Sequence, residues 1–279
     1  MPKERFHLLL AEETLRHLER SGRVRRFSVQ QRHGFLLGAV LPDVLFYDLP
    51  FFSLAGSGRE LHRLQKPHGL EFFRQWSEKA KGRYSPAALA CVLGVACHFL
   101  ADGYWHGFIG KLCADPPRVG NGFLGHTEKC RHLWLESELE SYWMAKLGPP
   151  DGYFPVLSGF RRGTGANRTC LTLFKDLLDE AGTESVPTES RIARCLVFQT
   201  MLLRQFAQPR WERWRSRLLS ARSTRRLGVL LVPPRPTLRE PESWEPQREG
   251  DPGALCTWDF MGRSVSFLSN RLSMLLPPS

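Results

Sequence analysis

The residues best placed to do chemistry are three ionisable side chains inside one apolar stretch. His98, Asp102 and His106 stand at i, i+4 and i+8, and on a helix that spacing sets all three along one face, drifting about 40° per step. Residues 87–101 around them are apolar nearly all round, as in a helix at the centre of a bundle. Three polar groups on such a helix cost on the order of several kcal/mol unless each is neutralised or bonded. A cation would neutralise them. His132 and Glu136 add an i, i+4 pair on the next predicted helix, a spacing that lets two ligands converge on one ion, although such a pair alone is more often a surface pair. Asp43 directly follows Gly38-Ala39-Val40-Leu41-Pro42, and His7 lies beside the apolar face of the first predicted helix. Read singly, each is more often structural: a turn or capping aspartate, and a satisfied histidine.

Elements able to position these groups follow from periodicity. Phe6, Leu9, Leu10, Leu15 and Leu18 predict a first helix ending near Ser21-Gly22. A second spans 29–41 and stops at Pro42, because proline disfavours helical geometry in the residue before it. Residues 43–59 read as an aromatic loop. Further helices are predicted at 70–81, at 86–111 after the start signal Ser85-Pro86, and at 128–147, 170–181, 190–206 and 211–221. Only 227–232 could form a short strand, so the fold class is all-α, a multi-helix bundle. The predicted layout is one helical domain over 1–232, a Pro-rich extended arm over 233–259 and a C-terminal helix over 260–279 that packs back on the same domain.

The net charge of +11 is carried mostly by arginines, concentrated in 20–32 and 204–226. Such a surface favours polyanions or anionic lipid heads over acidic protein faces, and equally serves solubility. Seven cysteines without a CxxC pair fit reduced thiols. The first residues lack an apolar leader, and no uninterrupted apolar run of spanning length is apparent. The expectation is a cytoplasmic protein with no transmembrane segment.

Taken in order, the His7 helix, Gly38-Ala39-Val40-Leu41-Pro42-Asp43, His98-Phe99-Leu100-Ala101-Asp102-Gly103-Tyr104-Trp105-His106 and His132-Leu133-Trp134-Leu135-Glu136 resemble the zinc-dependent phospholipase C family. The spacing of the central motif is closest to the branch holding the amino-terminal domain of glycosylphosphatidylinositol-specific phospholipase D, and the wider superfamily includes the S1/P1 nucleases. The resemblance implies an all-helical fold with two to three zinc ions. Asp43, a loop histidine, His98 and Asp102 would hold the first; the loop histidine is His62, favoured by its distance to the central helix, or His68. His106, His132 and Glu136 would hold the second, and His7 with a shared Asp102 the third. Two departures concern the third site and the central motif. Secreted members ligate the third ion with a processed N-terminal amine, whereas His7 here follows Met1-Pro2, and the Asp102 to His106 interval is shorter than theirs.

The function implied is metal-dependent hydrolysis of phospholipids or related phosphodiesters, with Asp43 serving as base as well as ligand, and with possible peripheral contact with an anionic membrane. Two alternatives stay open: a non-catalytic protein of the same fold binding metal or anionic lipid, and a nuclease acting on nucleic acid, which the absence of base-stacking motifs disfavours. Asp48, His33, His17, His126, Glu138 and Glu140 read as surface or supporting groups, with Asp48→Asn expected to change little. Tyr104, Trp105 and Trp134 read as packing residues.

Overall fold

The computed structural model describes residues 4–48, 53–63, 69–114, 128–148, 165–206, 217 and 257–275. Those residues form helices and no strand: α1 (Glu4–Arg20), α2 (Val29–Gly38), α3 (Leu41–Val44), a 3-10 turn (Leu45–Tyr47), α4 (Ala55–His62), α5 (Gly69–Ala80), α6 (Pro86–Ala114), α7 (Glu128–Leu147), α8 (Gly165–Glu180), α9 (Glu189–Phe206) and α10 (Thr257–Ser273). The all-α class is therefore as expected. The chain is built of two compact units, one from residues 1–6, 102–149 and 203–264, the other from 7–101, 150–202 and 265–279. Cys91, Cys97, Cys113, Cys170 and Cys195 are buried and unbridged.

Several predicted boundaries are corrected; α8, for one, starts at Gly165 rather than residue 170. The second helix ends at Gly38 rather than residue 41, and Pro42 opens α3 instead of closing α2; proline lacks only an N–H that the first helical turn leaves unbonded anyway. Residues 43–59, expected as a loop, hold the second half of α3, the 3-10 turn and the start of α4. Their glycines and aromatics hid the short helices. The last helix stops at Ser273, with Met274 and Leu275 in a turn. The predicted helix at 211–221, apart from helical residue 217, the strand at 227–232 and the arm at 233–259, apart from 257–259 in α10, lie outside the described residues.

α2 begins with a full capping box: Gln31 N–H donates to Ser28 Oγ, and Ser28 N–H donates back to Gln31 Oε1. Both bonds satisfy donors that a helix start leaves open. Upstream, α1 ends where expected, with Gly22 at φ 69° taking the left-handed position that a side chain disfavours.

In α6, residues Pro86–Gly110 are by length and mean hydropathy apolar enough to cross a membrane, although His98 and Asp102 interrupt the run. Buried as 78% of its most apolar window is within the protein, it has the surroundings of a core helix. Trp105 is fully buried and meets Phe6 edge-on with ring centroids 4.7 Å apart, Trp134 is 6% exposed, and Tyr104 is half-buried.

The contact that positions the chemistry is between the backbones of α2 and α6. A Cβ placed on Gly34 would overlap the Ala87 carbonyl oxygen, one on Gly38 that of Cys91, and one on Gly94 that of Phe35. Three glycines, two on α2 one turn apart and one on α6, thus let the helices touch main chain to main chain, with no room for a side chain between them. Gly110, also in α6, has open space around it. Gly94→Ala should therefore destabilise the protein by roughly 1–3 kcal/mol through overpacking, measured by thermal unfolding. Gly110→Ala should be neutral or stabilising by up to about 1 kcal/mol; equal effects of the two would contradict the close crossing.

Candidate metal centre

The α2–α6 crossing brings the carbonyl of Ala39, just past the end of α2, to His98 on α6. His98 Nδ1 lies 2.9 Å from Ala39 O. A carbonyl can only accept, so Nδ1 carries the proton and donates, and Nε2 of the neutral ring keeps its lone pair. His62, the last residue of α4, repeats the arrangement: its Nδ1 donates to Gly58 O one turn back, at 2.7 Å. Two imidazoles are in this way fixed in the same tautomer by main-chain carbonyls.

The consequence is a concentration of acceptor atoms. His98 Nε2 and His62 Nε2 are 3.3 Å apart. Asp43 Oδ1 lies 3.2 Å from His62 Nε2 and 3.7 Å from His98 Nε2. Three electron-rich atoms at these separations repel unless a proton or a metal cation stands among them. For tetrahedral zinc with nitrogen and oxygen donors at about 2.0–2.1 Å, donors stand roughly 3.3–3.4 Å apart, so the residues fit the ion. His7 closes the group. Its ring stacks on His98 with centroids 3.9 Å apart, and it offers a nitrogen within 4.8 Å of donor atoms of both Asp43 and His98. His7, Asp43 and His98 are at most 1% exposed. Phe99 meets His62 edge-on at 5.4 Å and Phe46 flanks it at 5.6 Å.

A second cluster joins α6 to α7 within the smaller unit. The i, i+4 spacings read from the sequence put Asp102 Oδ1 3.5 Å from His106 Nε2, and His132 Nε2 2.9 Å from Glu136 Oε1. The cross-helix step is His106 Nε2 to Glu136 Oε1, 3.6 Å. Burial works against charge on Glu136, yet interactions with His106 and His132 are among those that hold its carboxyl down to about 2. The carboxylate is thus ionised and ready to bind a cation. Asp102 and Glu136 are buried, whereas the side chains of His106 and His132 remain 33% and 28% exposed, leaving this cluster open to a ligand from solvent.

All eight residues singled out as ligands lie among the described residues and in one or other cluster. His7 offers a donor atom near those of Asp43 and His98, and Asp102, expected with the first ion and shared with the third, has its oxygen beside His106. His68 and His126 lie outside the described residues. His17 is exposed and His33 half-buried, while Asp48, Glu138 and Glu140 are fully buried rather than on the surface. The carbonyls of Ala39 and Gly58 escape sequence reading altogether, since every residue has one. The one trace was Gly34, Gly38 and Gly94, whose helical spacing marks a close crossing.

Residues 6–180 match the family model described as zinc dependent phospholipase C. No curated protein and no solved structure matches the chain.

Each cluster draws its ligands from its own unit, so the two should load separately. Asp43→Asn is expected to remove about one zinc equivalent and spare the second, His132→Gln to do the reverse, each weakening its own site at least roughly 10-fold. Emission spectrometry on protein purified without chelator reads the result; loss of both equivalents from either single variant would contradict it.

Proposed function

Because the chain belongs to the zinc-dependent phospholipase C family, we propose that it is a zinc-dependent phosphodiester hydrolase acting on phospholipids or related phosphoesters. The observation that supports this reading most is the approach of His62 Nε2, His98 Nε2 and Asp43 Oδ1 to within 3.2–3.7 Å of one another, with both histidine tautomers set by carbonyls. Asp43, His62 and His98, with His7 beside them, would hold one ion, and Asp102, His106, His132 and Glu136 another. When bound, zinc supplies Lewis acidity that activates water near neutral pH and offsets negative charge on phosphoryl oxygens.

The chain's own groups do the rest. Main-chain carbonyls keep the imidazoles from rotating away, and His7, Asp43 and His98 are buried, so electrostatic interactions in the centre are weakly screened. Asp43 is the carboxylate placed to accept the proton of the attacking water at its oxygens while the histidines hold their Nδ1 protons. The exposed edges of His106 and His132 would admit a phosphoryl oxygen to their own cluster.

The zinc-loaded chain should hydrolyse p-nitrophenylphosphorylcholine and mixed phospholipids, lose activity to a chelator and regain it with zinc. Asp102→Asn keeps the side-chain size but removes a buried negative charge; it should lose zinc and reduce turnover on the order of 100-fold. If the fully loaded wild type cleaves neither of those substrates nor single-stranded DNA, the non-catalytic binding reading takes over. Cleavage of DNA alone would make it a nuclease, an outcome with which the net charge of +11 is compatible.

A further inference from the structure

Asp43 and His62 reach the centre from the two ends of one short segment, α3 to α4, whose own helices are only 4 and 8 residues long. Helices of that length do not hold themselves in place. Something outside the segment must fix the separation of the two donors.

Apart from the contacts with His98 on α6, a set of polar contacts ties the segment to the α8–α9 region. Asp48, which follows the 3-10 turn after α3, is fully buried. Arg191 of α9 grips it through a fork, Nη2 at 2.5 Å from Oδ2 and Nε at 3.2 Å from Oδ1, and Arg194 adds a contact at 3.4 Å. Ser53 donates to the same carboxylate at 2.9 Å and also accepts from Arg191. Two further ties hold α4 itself: Ser57 Oγ donates to Ser185 O at 2.8 Å, and Glu184 N–H donates to Glu60 Oε2 at 3.1 Å. A planar guanidinium bonding a carboxylate through two nitrogens fixes orientation as well as distance. The hydrogen bond from Arg191 outweighs burial and holds the Asp48 carboxyl down to about 2, so the pair is charged across the neutral range. This overturns the expectation that Asp48 could be replaced by asparagine at little cost: Asp48→Asn removes the charge that the guanidinium grips.

We infer that Asp48 and Arg191 form a clamp that sets the spacing of Asp43 and His62, making Arg191 a positioning residue for the metal centre although it lies beyond the residues matched by the family model. Neither side chain is a ligand. The clamp acts on the described elements that carry Asp43 and His62, and so bears on metal affinity more than on the identity of the donors. The inference rests on the proposal that this cluster binds zinc.

The test is zinc affinity of the full chain, by competition with a chelating dye, together with the absorption spectrum of the cobalt-substituted protein. Wild type should bind two equivalents. Arg191→Ala and Asp48→Asn should each weaken one equivalent about 10- to 100-fold, the range for groups that orient ligands, alter one part of the cobalt spectrum and leave the other equivalent unchanged. Arg191→Lys keeps the charge without the fork and should fall between. Leu268→Ala, a fully buried residue of α10, serves as a variant destabilised by a cavity instead; it should lower the melting temperature while retaining wild-type affinity. Equal affinity in wild type and Arg191→Ala overturns the clamp while leaving the metal centre intact, and so does an equal loss in Leu268→Ala. A folded wild type that takes up neither zinc nor cobalt overturns the metal centre and the clamp with it.

Discussion

The metal-binding geometry depends on a steric constraint: α2 and α6 touch backbone to backbone because glycine stands at positions 34, 38 and 94. Any Cβ there would push the helices apart by a fraction of an ångström or more, and the Ala39 carbonyl would leave the His98 imidazole. That hydrogen bond decides which nitrogen of His98 faces Asp43 and His62. A packing feature with no polar atom of its own thus sets the protonation pattern of the centre.

The second constraint is electrostatic. Fully buried acids and histidines are tolerable only where their charges and lone pairs are answered, and the described residues answer them in two different ways. Asp48 is answered within the chain, by Arg191, Arg194 and Ser53. Around Asp43, His62 and His98 the described close contacts are those among a carboxylate oxygen and two imidazole nitrogens. A cation bound there would relieve their repulsion, so ion binding and folding stability should be linked, as expected of a site whose ligands come together only in the folded chain.

The two clusters differ in character for reasons of local structure. Asp102, His106, His132 and Glu136 reach their positions through i, i+4 spacing on two long helices, and only the meeting of those helices is tertiary. Asp43 and His62 lie on short elements with little intrinsic stability, and their placement is supported by polar ties to the α8–α9 region. The first arrangement is secured by helix geometry, the second by packing and ion pairing.

The same difference explains how far the sequence alone could be read. Periodicity and the apolar surroundings of His98, Asp102 and His106 were enough for the all-helical class and for a stripe of ionisable groups in a core helix, because a helix converts spacing into direction without help from the rest of the chain. His132 and Glu136 were legible for the same reason. Pro42 misled because its effect depends on whether a helix stops before it or starts at it, which the neighbouring helix decides. The tautomers of His62 and His98 came from carbonyls of Ala39 and Gly58, and the tie between Asp48 and Arg191 joins residues 143 positions apart. Main-chain acceptors carry no residue-type signal, and an ion pair between distant residues has no period to betray it. Only the folded chain could decide those contacts, because each exists at the meeting of elements whose separation in sequence says nothing of their distance in space.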